Sequence, residues 1–288
     1  MGPTPDAEVD AMPEVFFHVG AGRAASRWLQ EQVFPHFRGV RYIPRTRFRQ
    51  SAKVVGRGGD LPVLVSRQLG YRELTPSVEW FARLAPAARP ILVLRRHDEW
   101  LRSVYLREIK ELRYVPFERF IDFERDEGVR PRSSALFRER IQVLEDHFEH
   151  RPLVLFFDRL VADPHAFVRT IADYVGASYD EARISFRPSN RSYRDRQYRF
   201  LREVRRRRPA KRTAEPASAA VRWLRVRSRR LAWHAGVALG RVAPERILSR
   251  DPLLTDEQLA RVRTFYEADW QACVDYARRH NPRLLAGD

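Results

Sequence analysis

Cysteine is almost missing from this chain. Cys273 stands alone among 288 residues, so no disulfide framework staples the fold, and a reducing compartment is compatible with it. Lysine is scarce too: all but three of the 54 basic residues are arginine. No apolar run approaches the roughly 18 residues of a membrane-spanning helix, which excludes a spanning segment of that kind. The opening residues, Met-Gly-Pro-Thr-Pro-Asp, carry no apolar stretch of the signal-peptide type. A cytoplasmic location is therefore expected. No Cys/His spacing of the zinc type and no nucleic-acid reading motif occurs, so neither a metal nor sequence-specific nucleic-acid recognition is expected.

What is present is a core and a charge. Hydrophobic residues make up 44% of the chain, enough to bury a core in one large α/β domain or two small ones. The net charge is +17 and it is uneven. Residues 201–250 hold 15 basic residues against three acidic ones. A field of that sign attracts nucleic acid, anionic lipid or anionic substrates. Residues 205–208 and 221–230, with Trp223 and Trp233, have the composition of a basic amphipathic helix suited to an anionic membrane surface. A solvated arginine-rich helix, or a cationic rim that gathers anionic ligands, accounts for the same residues.

Short apolar runs at 15–19, 40–43, 62–65, 91–94 and 153–157 predict five strands. They do not alternate with polar residues, as expected of strands buried on both faces of a parallel sheet. Helical patterns between them, at 26–34, 77–84, 99–112, 134–148 and 165–175, predict a βαβ series with helices on both sides. Gly176 is placed to cap the last of these. After Pro188 only helices are expected, at 194–206, 221–239 and 256–280, with Thr255 and Gln258 as a capping box. The expected whole is one domain spanning 1–288: a flexible 1–13, a three-layer α/β core over 14–192, and an arginine-rich helical extension over 193–288.

Two stretches carry chemistry. In the first, the strand 15–19 runs into Gly20-Ala21-Gly22-Arg23-Ala24-Ala25 and a helix starting near Ser26. Such a unit offers backbone N–H groups to an anion, and Arg23 could neutralise a phosphate. It is not a Walker A loop, which needs a second glycine and a lysine, and it fits a dinucleotide fingerprint only loosely, since no acidic residue follows on the second strand. An ordinary strand-to-helix turn remains open on the loop alone. In the second stretch, the strand 91–94 ends in Arg95, and a helix beginning near Asp98 carries Ser103 on its second turn. Arg95 sits at a carboxyl strand end, where open α/β sheets bind ligands. Arginine and a serine hydroxyl are both phosphate ligands. Two phosphate sites on neighbouring strand ends suit a nucleotide with phosphates on both sides of its ribose.

Together these stretches resemble the PAPS-dependent sulfotransferases, a family with a P-loop-type nucleotide-binding fold. The stretch from Gly20 to Leu29 lies over the family's first motif, P-K-x-G-T-T-x-L. Arg95, Glu99, Ser103 and Tyr105 match its second, R-x-P-x-[DE]-x-x-x-S-x-Y. The likeness spans roughly 14–192. It implies that Gly22, Arg23, Ala24, Ala25, Ser26 and Arg27 cradle the 5′-phosphosulfate of PAPS. It implies that Arg95 and Ser103 hold the 3′-phosphate and that Arg191 closes over the nucleotide. A hydroxyl, on a carbohydrate by the bacterial likeness, would accept the sulfonate without a metal. The departures are specific. Arg23 replaces the motif lysine and keeps its charge, but a guanidinium donates no proton. Ser26-Arg27 replaces Thr-Thr, and His97 replaces the motif proline. Gln68 stands where the family often has a glutamate base, and an amide cannot be one. His97 is the alternative proton acceptor, with an ordinary helix-start residue as the bland reading. His18, just before the loop, reads first as a buried strand histidine. Two further readings stay open: a relative that binds the nucleotide without transferring, and a basic membrane-surface or nucleic-acid binder driven by 201–250. A cytoplasmic protein peripheral to the inner membrane would fit that basic segment.

Overall fold

The computed structural model describes residues 12–111, 113–187, 195–207 and 251–281, with scattered positions between 218 and 248. Residues 1–11, Arg191 with its neighbours, and most of the helix expected over 221–239 lie outside the described residues. The chain divides into two compact units. One draws on Met1–Arg96, Ala135–Arg187 and Tyr266–Asp288; the other on His97–Ser134 and Pro188–Phe265.

The first unit contains all five expected strands: β1 (Val15–His18), β2 (Arg41–Ile43), β3 (Val63–Ser66), β4 (Arg89–Leu94) and β5 (Leu153–Phe156). They form one sheet in the order β2-β3-β1-β4-β5, and every pairing is parallel. β1 is central and buried along its whole length. Its two phenylalanines show why the run does not alternate. Phe17 packs on Phe81 of helix α3 (Tyr71–Leu84) at 4.2 Å between ring centroids, while Phe16 packs on Tyr174 of α8 (Pro164–Tyr174) at 5.5 Å. Successive side chains leave a strand on opposite faces, so helices cover both. This is the expected three-layer α/β arrangement. The unit also contains α1 (Ser26–Trp28), α2 (Ser51–Val55), α6 (Phe137–His147), α7 (Phe157–Ala162) and α11 (Glu267–His280).

The second unit is helical among its described residues: α4 (His97–Lys110), α5 (Phe117–Phe120), α9 (Asp195–Arg207) and α10 (Asp256–Phe265). Tyr105 of α4 packs edge-on to Phe117 at 5.3 Å and donates its hydroxyl to the Val115 carbonyl. Arg202 of α9 donates to the carbonyls of Asp251 and Pro252.

Three boundaries differ from the sequence reading. α3 starts at Tyr71 and carries Pro76 inside it. Proline in the second turn has no N–H for the Arg72 carbonyl, so the helix gives up a backbone bond there. The helix expected over 256–280 is two helices, divided at Tyr266, whose φ of −101° and ψ of 10° leave the helical region. No glycine or proline announces that break. The helix after the first loop is an α turn at Ser26–Trp28, a π stretch at Leu29–Val33 and a 3₁₀ turn at Phe34–His36. The caps behave as expected. Gly176 has φ +68° and closes onto Asp173. Thr255 and Gln258 exchange reciprocal bonds at 2.8 and 3.2 Å.

Candidate functional site

The site in the first unit is built on β1. His18 pairs with Ser66 of β3 on one side and Ile91 of β4 on the other. The pairing runs on past the strand end, with the Val19 N–H on the Ile91 carbonyl and the Leu69 N–H on the Val19 carbonyl. The loop 20–25 therefore leaves the sheet between the ends of β3 and β4. Residues just after β3, Gln68 among them, flank it on one side. Arg95, just after β4, stands on the other.

The loop backbone is unusual. Gly20 has φ +39°, Arg23 has φ +74° and Ala25 has φ +60°. A left-handed conformation costs a non-glycine residue about 1–2 kcal/mol, and two such residues lie within three positions. Left-handed residues alternating with right-handed ones are the geometry of an anion-binding nest; in this loop the Ala24 N–H turns back onto the Ala21 carbonyl at 3.2 Å. Strain concentrated in a loop at the carboxyl end of a parallel sheet is a mark of a functional site. Gly20 is required sterically as well. A Cβ there would lie 2.2 Å from the Ser26 Oγ and 3.0 Å from the His18 Cε1.

The proposed ligands occupy different environments. Arg23 is exposed at the loop tip. Ser26 is buried, and its hydroxyl donates to the Ala21 carbonyl at 3.2 Å. Ser26 thus braces the loop from inside. Arg27 is exposed and paired with Glu31 at 2.8 Å, one helical turn on. Arg95 is half-buried, with its guanidinium carbon 4.4 Å from the centre of the Phe157 ring. A cation over an aromatic face is attracted to it, which helps to hold the guanidinium in place. Gly22, Ala24 and Ala25 contribute backbone alone.

In the second unit, Ser103 is half-buried on the second turn of α4, and His97, the first residue of that helix, is buried. Asp98 is also buried and accepts two bonds from Arg263 of α10, at 2.7 and 3.1 Å. It anchors two helices of its own unit. Tyr105, which matched the second motif, is a core residue. Arg191 lies outside the described residues.

The sequence reading missed Ser66 and Gln30 as partners of His18, which is itself the buried strand histidine it suggested. His18 is fully buried, and its Nδ1 lies 2.7 Å from the Ser66 Oγ, which also accepts from the Gln30 Nε2 at 2.9 Å. Burial pushes the His18 pKa down to about 3, so the ring is neutral and serves as scaffold under the loop. A polar Ser66 ending an otherwise apolar strand was the available signal. Trp28 donates its indole N–H to the Ser185 carbonyl at 2.8 Å and packs near Phe186. It joins the helix after the loop to the segment following α8, and is core. Trp100 is likewise buried, under Arg130. The Cys273 thiol is buried and its pKa is pushed up by desolvation, which makes it a packing residue. Among the described residues no cluster of His, Cys, Asp or Glu could hold a metal ion, and no helix is long and apolar enough to cross a membrane.

No family model matches the chain, and no curated protein matches it either. Among solved structures, a sulfotransferase from Alicyclobacillus acidocaldarius is similar at 16% identity and TM-score 0.48, over 63% of this chain and 87% of that one. Mouse sulfotransferase SULT7A1 complexed with PAP is similar at 12% identity and TM-score 0.38, over 71% of each chain. Likenesses this distant do not bear on activity, which must be judged from the residues of the site.

Proposed function

We propose that the chain is a sulfotransferase that uses PAPS as donor and a hydroxyl, on a carbohydrate, as acceptor. The observation that carries the proposal is the loop 20–25. It is held in left-handed geometry at Arg23 and Ala25 and emerges next to β4, whose end bears Arg95 on the Phe157 ring. A backbone nest, a cation at its tip and a second oriented cation one strand over fit a nucleotide carrying two separated anionic groups. In this reading the loop backbone at Gly22 and Ala25, with Arg23, receives the 5′-phosphosulfate, and Ala24 braces the turn through its N–H on the Ala21 carbonyl. Ser26 keeps the loop in shape, and Arg27 adds charge beside it. Arg95 receives the 3′-phosphate. Ser103 joins it on the strength of the motif, as Arg191 does on the nucleotide.

Bound PAPS supplies an activated sulfonate whose leaving group is a phosphate. What the chain adds is position and charge. Arg23 stays protonated, so it stabilises charge developing on the phosphosulfate without giving up a proton. His97 is the assigned proton acceptor. No metal enters. A cytoplasmic location, with 201–250 toward an anionic membrane surface, belongs to the same reading.

Calorimetric titration with PAP tests it. Saturable micromolar binding is expected. Arg95→Ala should weaken it by tenfold or more, since a hydrogen bond to a charged group contributes about 1.5–3 kcal/mol. Absent binding, or binding indifferent to Arg95, would overturn the assignment. A second reading, nucleotide binding without transfer, draws on the loop itself: Ser26 spends its hydroxyl on Ala21, and Ala24 and Ala25 offer none. Labelled PAPS with a glycan panel separates the two. Transfer to any member supports the enzyme, whereas binding with no transfer supports the alternative.

A further inference from the structure

The residues that follow β3 point in different directions. Arg67 lies over the Phe48 ring, 4.6 Å from its centre. Leu69 is buried and bridges to Ala21. Gln68 between them is half-buried and turns to the loop. Its Nε2 lies 2.6 Å from where a Cβ on Gly22 would be, with its Cδ at 3.5 Å from the same point. Gly22 has no positive φ. Space, not backbone conformation, is what a side chain at position 22 would contest, and the group it would displace is the Gln68 carboxamide.

We infer that Gln68 is a ligand-positioning residue: a neutral donor whose N–H₂ group binds an oxygen of the tetrahedral anion held by loop 20–25. The inference rests on the nucleotide reading above. Its physical basis is local. A nest of backbone N–H groups gathers negative charge, and a residue touching that backbone is favoured if it donates and carries no charge of its own. An amide meets both conditions. A carboxylate at the same place accepts only and would repel the anion at short range, where the screening of water is weakest. A second consequence follows: the acceptor's proton is not taken at position 68.

The test is calorimetry with PAP and with PAPS on the full chain and four variants: Gln68→Leu, Gln68→Glu, Gly22→Ala and the double variant Gly22→Ala/Gln68→Leu. Gln68→Leu is expected to lose about tenfold in affinity. A loss with both nucleotides places the donor on the 5′-phosphate, and a loss with PAPS alone places it on the sulfonate; either supports the inference. Gln68→Glu should lose more at neutral pH. It should recover, relative to the native chain, as pH falls through the carboxylate range, a response that a merely structural role would not produce. Gly22→Ala should cost about as much as Gln68→Leu, and the double variant no more than either, because both remove the same contact. Native-like affinity in both Gln68 variants, with native PAP binding intact, overturns the inference alone. Absence of PAP binding in the native chain overturns the nucleotide reading and this inference with it.

Discussion

Single residues in the proposed site are expected to trade stability against binding. Arg23 holds a left-handed φ that glycine adopts without penalty. Arg23→Gly should therefore melt no lower than the native chain while its PAP affinity falls sharply. A lower melting temperature with unchanged affinity would contradict that assignment. His18 makes the opposite case, a residue spent wholly on the fold. Its folded pKa of about 3 lies below the ordinary value of about 6.5. The unfolded chain therefore binds the extra proton, and stability is lost as pH falls below about 6.5. Between pH 7 and pH 5 this residue alone should remove about 2 kcal/mol from the urea-unfolding free energy. His18→Asn, less stable at pH 7, should show a correspondingly smaller drop. An equal drop in both proteins would mean that another group sets the acid limit.

Individual elements were legible where local chemistry decides them. The five strands followed from unbroken apolar runs, because a strand buried on both faces has no polar side to show. The capping box at Thr255 was legible because both partners lie within one turn. Thr255→Ala should cost about 1 kcal/mol, read from thermal unfolding; no change would show that the start of α10 is held by its packing instead. The break at Tyr266 was not legible. Nothing in Phe265-Tyr266-Glu267 disfavours a helix, and the apolar spacing runs through it, so the break reflects tertiary packing rather than propensity. The π stretch at Leu29–Val33 escaped for the same reason. Its residues are ordinary helix formers, and the extra residue per turn is fixed by what surrounds them.

At the scale of the whole molecule, charge is the dominant property. With a net charge of +17, the chain should draw a highly anionic nucleotide from a distance, and that part of the affinity is sensitive to screening. Raising salt from about 0.1 M to about 1 M shortens the Debye length from about 10 Å to about 3 Å. PAP binding should weaken several-fold across that range, and the on-rate more than the off-rate. Salt-independent binding would place the affinity in the contacts of the site alone.

The chemistry proposed for this protein rests on two short stretches, one at 20–29 and one at 95–105. Each is legible because strand, turn and ligand-type residues are neighbours in sequence, and the parallel sheet followed from the unalternating strands. Which of those residues stay exposed and which build the scaffold was decided only by the tertiary structure. Ser26 turned inward to the Ala21 carbonyl, Trp28 and Tyr105 went to the core, and Asp98 went to Arg263. Gln68 came against Gly22 because β3 lies beside β1. The reason is general: local sequence sets what a segment can form, but a side chain's direction and partners depend on strand order and helix packing, which bring together residues far apart in the chain.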